Sequence, residues 1–165
     1  MRLLIPIICI LAFLPAGRHG AKANAQQSLP QDSTIGTVEK PTAISAVKSF
    51  FKHFHAQDTT ALKDCMLMNI QLTSLSVKGE NRKLSTTEAS QFLKNITSIP
   101  DSISFEERLI EISFVGDTQI ATVSTTYEFY YNSLLSHIGT NKFTLFFIDD
   151  KWMIVGIADT RIYGS

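Results

Sequence analysis

Four polar residues in the second half of the chain have the chemistry of a binding or proton-transfer site: His137, Asn141, Asp159 and Arg161. A guanidinium presents a planar fork that matches a carboxylate or phosphate, so Arg161 suits the polar end of a ligand. Two residues from Asp159, it suits equally an ion pair that closes the mouth of a cavity. An imidazole titrates near pH 6.5, which fits His137 for general acid or base work and also for a hydrogen-bonded structural role at a strand start. Proton transfer by His137 and Asp159 requires both side chains within about 3 Å of one ligand atom. Metal chemistry has no pattern to rest on. His53 and His55 are two apart on a helix and point to opposite sides, and no HExxH or CxxC occurs. No glycine-rich phosphate loop is present, and no cofactor is implied.

Strands must position these groups. The stretch from Gly116 to Ile162 reads as two long hairpins in succession. Asp117–Asn132 is a strand, Ser133–Ser136 a turn and His137–Ile148 the next strand; Asp149-Asp150-Lys151 turns the chain into Trp152–Ile162. Side chains alternate along a strand. Ala121, Val123, Thr125, Tyr127, Phe129 and Tyr131 therefore share the more apolar face, which should meet the helices. Met153, Val155, Ile157, Asp159 and Arg161 share another, so Asp159 and Arg161 emerge where an apolar face gives way to polar groups. Asn141 has the parity of Phe143. A β-bulge would invert such parity beyond it. The reading that results is an apolar cup of Phe51, Tyr127, Phe129 and Phe143 with His137, Asn141, Asp159 and Arg161 as its polar contacts, the usual form of a small-molecule site.

Upstream, Pro41 suits a first helical turn, and Ile44, Val47, Phe51 and Phe54 recur at helical spacing through Gln57. His55 returns to that apolar face. It points into the cup near Phe51, or it bonds Asp58 or a helix-end carbonyl. Asp58-Thr59-Thr60 offers an N-cap to a second helix, Thr60–Met66, with Ala61, Leu62 and Cys65 inward. Asn69–Val77 reads as a strand and Lys78-Gly79-Glu80-Asn81 as a turn. Ser85-Thr86-Thr87-Glu88 reads as a capping box for a helix carrying Ala89, Phe92, Leu93 and Ile96. Ser102–Val115 is a further strand. Helices first and a long antiparallel sheet afterwards predict an α+β domain.

The N-terminus predicts the compartment. Met1-Arg2 precedes an apolar run, Leu3–Leu14, and Ala23-Asn24-Ala25 has the small-x-small pattern of a cleavage site. The run is shorter than the roughly 20 residues that span a bilayer. Residues 1–25 are expected to be a signal peptide, 26–40 a flexible lead-in and 41–165 one domain. The protein is then exported, periplasmic or secreted, and free of the membrane after cleavage. The leader removes Arg2, Arg18 and Lys22 and no acid, leaving 12 bases against 15 acids, a net charge of −3. That balance argues against nucleic-acid binding, which normally needs a basic face. Cys65 remains as the only thiol, so packing rather than a disulfide must stabilise the domain.

The order of elements, with Phe54-His55-Ala56-Gln57-Asp58, Tyr127-Glu128-Phe129-Tyr130, Ser136-His137-Ile138-Gly139 and Asp159-Thr160-Arg161, resembles the nuclear transport factor 2-like superfamily over about residues 41–163. It looks most like the exported SnoaL-like members, some labelled lumazine-binding. The resemblance implies a cone-shaped α+β barrel: N-terminal helices packed on a strongly curved antiparallel sheet around a central pocket, often dimeric through the sheet. This superfold hosts isomerases, cyclases, dehydratases, transport factors and binding modules. The catalytic carboxylate and tyrosine of its ketosteroid isomerases have no matching motif here. The expected function is binding of a small organic molecule. The alternatives are an acid–base isomerase, cyclase or dehydratase using His137 and Asp159, and a ligand-free homodimeric module using an outer face around Tyr130, Phe146 and Ile154.

Overall fold

A computed structural model describes residues 42–164. The expected leader, the lead-in and Pro41 lie outside the described residues. Thr42 starts the first helix, α1 (Ala43–His55), through a reciprocal cap: its hydroxyl accepts from the Ser45 N–H, and the Ser45 hydroxyl accepts from the Thr42 N–H. Val47, Phe50 and Phe51 form its buried face, with Ile44 and Phe54 packed alongside. Gln57 turns the chain with a positive φ, and the Asp58 carboxylate caps α2 (Thr59–Cys65) by accepting from the Ala61 N–H at 2.9 Å.

Six strands follow, with one more helix between the second and third: β1 (Gln71–Lys78), β2 (Asn81–Glu88), α3 (Ala89–Thr97), β3 (Phe105–Gly116), β4 (Ile120–Tyr131), β5 (Leu134–Ile148) and β6 (Lys151–Tyr163). They form one curved, unclosed sheet in the order β2-β1-β6-β5-β4-β3, antiparallel except where β1 runs parallel to β6. The three helices pack on it to make the α+β architecture. Among the described residues, no helix is long and apolar enough to cross a membrane.

The segment read as a capping box is a strand. Gly79, at a positive φ of 57°, makes the turn that folds β2 back on β1, and Ser85 lies opposite Ser74 with its hydroxyl donating to the Ser74 carbonyl. α3 begins instead at Glu88, which makes no side-chain cap bond. No apolar alternation marks β2, because an edge strand with Arg82 and Lys83 exposed is held mainly by backbone pairing and blunted by charge.

Three bulges decide which side chains face inward. In β6 the register against β5 slips at Val155, so Trp152 and Ile154 join the core on one side of it and Ile157 on the other. Met153 and Val155 therefore do not share the face of Ile157. Ile154, fully buried, is not part of an outer surface. In β3 the slip falls at Ile110, which leaves Glu107 and Leu109 inward before it and Ile112 inward after it. In β5 it falls at Ser136, immediately before His137.

One close approach depends on glycine. Gly139 faces Tyr127 directly across the β4–β5 ladder. A Cβ at 139 would sit 1.9 Å from the Thr160 carbonyl oxygen and 2.8 Å from the Tyr127 ring. The missing side chain lets the ring lie across the sheet, where its hydroxyl donates to that carbonyl at 2.9 Å. Gly139→Ala is expected to destabilise by about 1–3 kcal/mol through overpacking. Urea unfolding checks this; an unchanged midpoint would show that Thr160 and Tyr127 give way freely.

Candidate functional site

Phe51, Tyr127, Phe129, His137, Asn141, Phe143, Asp159 and Arg161 all line one cavity of about 220 Å³. Rows across the sheet bring them together. Glu107, Phe129, His137 and Tyr163 stand opposite one another on β3, β4, β5 and β6. Thr125, Asn141, Asp159 and Ser74 make a parallel row on β4, β5, β6 and β1. α1 contributes Phe50, Phe51 and Phe54 from above, and α3 contributes Phe92. Their rings interlock: Phe51 meets Phe143 edge-on at 5.6 Å, and Phe54 stacks on Phe92 at 6.1 Å.

At the mouth, Asp159 accepts from Arg161 Nε at 2.9 Å and from the Ser74 hydroxyl, while Arg161 Nη2 also donates to Ser74 at 3.1 Å. Burial works against the Arg161 charge, but the bond to Asp159, the Asp159 charge and the nearby Tyr127 and Tyr163 together outweigh it and raise the pKa. His137 stacks on Phe129 at 4.9 Å with Nδ1 at 3.1 Å from the Ser136 hydroxyl. Burial, aided by the Arg161 charge, pushes its pKa down to about 4 against the pull of Asp159. The imidazole is therefore neutral at physiological pH.

His55 neither lines the cavity nor bonds Asp58 or a helix end. Its Nε2 accepts the backbone N–H of Glu107 at 2.9 Å, tying the end of α1 to the free edge of β3, and burial lowers its pKa. Burial raises the Cys65 thiol, which stays protonated. Among the described residues, no group of three His, Cys, Asp or Glu is placed to hold a metal ion.

Glu107 is the site residue that sequence reasoning missed. Asn141 Nδ2 donates to its Oε1 at 2.7 Å and to the Thr125 hydroxyl at 3.0 Å. Burial raises the carboxyl to about 7, and the Asp159 charge adds to this against the Asn141 bond and Arg161. The run Glu106-Glu107-Arg108 looks like a solvated stretch, yet Phe105, Glu107 and Leu109 alternate as one face. A carboxylate between two apolar residues of the same parity was the available signal.

No family model matches the chain, and neither does any curated protein. Solved structures do. A nuclear transport factor 2-like protein from Cytophaga hutchinsonii aligns with TM-score 0.56 at 13% identity, over 72% of this chain and 94% of its own. A protein from Nostoc punctiforme with a cystatin-like fold aligns at 0.55 and 9% identity, over 72% and 86%. A Streptomyces avermitilis protein of the nuclear transport factor 2-like family, provisionally called a dehydratase, aligns at 0.52 and 10% identity, over 72% and 92%. The chain has the nuclear transport factor 2-like fold. At these identities the likeness carries the architecture and assigns no residue a role.

Two cavity groups of this domain couple its stability to pH in opposite senses. Glu107, raised to about 7, keeps a proton that the unfolded chain loses from about pH 4.3 upward, so its contribution is present in acid and lost as pH rises to 7. His137, lowered to about 4, stays neutral while the unfolded chain charges below about pH 6.5, so its contribution is lost as pH falls. His55 adds to the histidine side. Glu107→Gln removes the opposing slope. Urea midpoints of this variant should fall more steeply from pH 7 to pH 4 than those of the wild type, the difference reaching about 3 kcal/mol at most. Equal slopes would mean that Glu107 titrates as an ordinary surface acid.

Proposed function

We propose that this protein is an exported small-molecule binder whose cavity takes a compact organic molecule with an apolar body and a polar end. The observation that carries the reading is a cavity walled by phenylalanines with unpaired polar atoms along one strip. Glu107 Oε2, His137 Nε2 and Asn141 Oδ1 have no partner in the protein. Since no fully buried side-chain polar atom among the described residues lacks a partner, these three are exposed, and their residues border the cavity. A volume of about 220 Å³ exceeds the roughly 150 Å³ that holds benzene and falls below the ~300–1,000 Å³ of drug-sized sites. Its occupant is small.

Native mass spectrometry of protein purified from its export compartment tests this. The expected spectrum shows residues 26–165 carrying an added mass that leaves on denaturation. Leu72→Phe, which fills the cavity from β1, should fold and lose the added mass. A wild-type protein that is bare, and whose melting temperature ignores a broad metabolite library, would overturn the reading. The same spectrum reports oligomeric state. A homodimer through the outer sheet face is part of the proposal, supported there by exposed Ile138, Phe146 and Ile162.

An acid–base enzyme is the second reading, favoured by a carboxyl poised near pH 7 inside the cavity. Both Asp159 oxygens are taken, by Ser74 and Arg161, so proton transfer falls to Glu107, which borders the same cavity as His137, rather than to His137 and Asp159. Elimination of 5-nitrobenzisoxazole, a general probe for a base in an apolar site, should then rise with pH through about 7 and vanish in Glu107→Gln. A rate equal to that of buffer at every pH would remove this reading.

A further inference from the structure

The charges within the cavity leave one group over. Asp159 and Arg161 neutralise each other at 2.9 Å, and Ser74 occupies the second Asp159 oxygen. His137 is neutral. Tyr127 donates its proton to the Thr160 carbonyl, and burial raises its pKa further. His55 packs behind Glu107 from α1 and accepts its peptide N–H, which requires an unprotonated Nε2. Around Glu107, then, Tyr127 on β4, His137 on β5, Asp159 and Arg161 on β6 and His55 on α1 supply no unshared positive charge. A carboxylate half-buried among aromatic rings is disfavoured unless it is paired, and without a partner it holds its proton to higher pH.

The unpaired atoms state what that partner is. Asn141 spends both amide hydrogens, on Glu107 and Thr125, so its free atom is the acceptor Oδ1. The His137 Nδ1–Ser136 contact leaves Nε2 as the free His137 atom, an acceptor in the tautomer that carries its proton on Nδ1. The free Glu107 oxygen accepts once ionised. Glu107 and Asn141 thus present acceptors, joined in that tautomer by His137, among the faces of Phe50, Phe51, Phe54 and Phe129, and ring faces attract cations. An anion would find Arg161 at the mouth, with Nη1 free on a guanidinium already bonded to Asp159 and Ser74.

We propose that the occupant is a small organic cation, a protonated amine on an aromatic or aliphatic body, whose ammonium pairs with Glu107 and displaces its proton. The proposal rests on the cavity being a binding site. When the amine binds, the Glu107 O–H bond breaks, the proton leaves to solvent, and the ammonium N–H groups donate to the carboxylate and to the Asn141 and His137 acceptors.

Calorimetric titration with three probes on one ring, benzylamine, benzyl alcohol and benzoate, separates the two levels of the claim. At pH 8 benzylamine should bind at least about tenfold tighter than either other probe. Between pH 7 and pH 5 its affinity should fall by about tenfold per unit, because the proton competes for the same carboxylate. Titrations in buffers of different ionisation enthalpy should show about one proton released at pH 6, a count made on the unmutated protein. Glu107→Gln should bring benzylamine down to the level of benzyl alcohol and flatten the pH dependence. Benzyl alcohol or benzoate binding as well as benzylamine, or no proton release at pH 6, overturns the cation and leaves the binding site standing. No binding by any of the three overturns both.

Discussion

The Asn141 side chain donates two hydrogen bonds into the interior, and the arrangement of the cavity depends on them. One goes to Glu107 on β3 and the other to Thr125 on β4, so a single amide on β5 links three strands at the depth where the sheet curves around the helices. Without it the Glu107 carboxyl would lack its one protein partner, and a buried polar group without a partner costs about 1–3 kcal/mol. With it, one carboxyl oxygen is fixed and the other is left facing the cavity. The phenylalanines of α1 and α3 then fill the space above; burial favours the protonated Glu107, and the Asn141 amide is the strongest influence against it.

The backbone has to deliver those side chains to one side, and it does so by breaking the two-residue alternation three times. A bulge adds one residue and inverts every side chain beyond it. At Val155 the inversion lets β6 give Trp152 and Ile154 to the core under α1 and α2, then Asp159 and Arg161 to the cavity mouth. At Ile110 it lets β3 present Glu107 to the cavity and Ile112 to the core. At Ser136 it brings His137 inward, opposite Phe129 and with a hydroxyl beside its ring. An unbroken ladder would carry an apolar face along its whole length or a polar one, and could not pass from core to site within a single strand.

These same bulges set what could be read from the chain. Five of the six strands, three helices and the α+β class follow from local pattern, because Val47 and Phe51 repeat at helical spacing and the second half alternates over long runs. Tyr127, Phe129, Asn141 and Phe143 could be placed on one face because β4 and β5 stay regular between residues 121 and 129 and between 137 and 143. The face of Met153 and Val155 was not legible, since a bulge is created by pairing with another strand and leaves no local signature. β2 was hidden for a related reason: its serines, threonines and charges match a helix cap as well as they match an exposed edge, and only the partner strand decides. Glu107 was hidden by its neighbours, as Glu106 and Arg108 form an exposed ion pair at 3.0 Å that makes the whole run look solvated.

Packing alone does not account for Glu107. A leucine there would continue the apolar series of Phe105 and Leu109, cover the same wall and need no partner. A carboxyl in its place must keep a proton or find a positive charge, and either requirement costs free energy in an apolar interior. A structural carboxylate of the core would normally be met by an arginine or lysine from a facing element. Arg161 is close enough to influence Glu107, yet its hydrogen bonds go to Asp159 and Ser74. The chain thus pairs one of its two cavity acids internally and leaves the other with a single neutral donor. A departure from local consistency at one half-buried position, beside a cavity with unpaired acceptors, is what supports the proposal that the cavity works through Glu107.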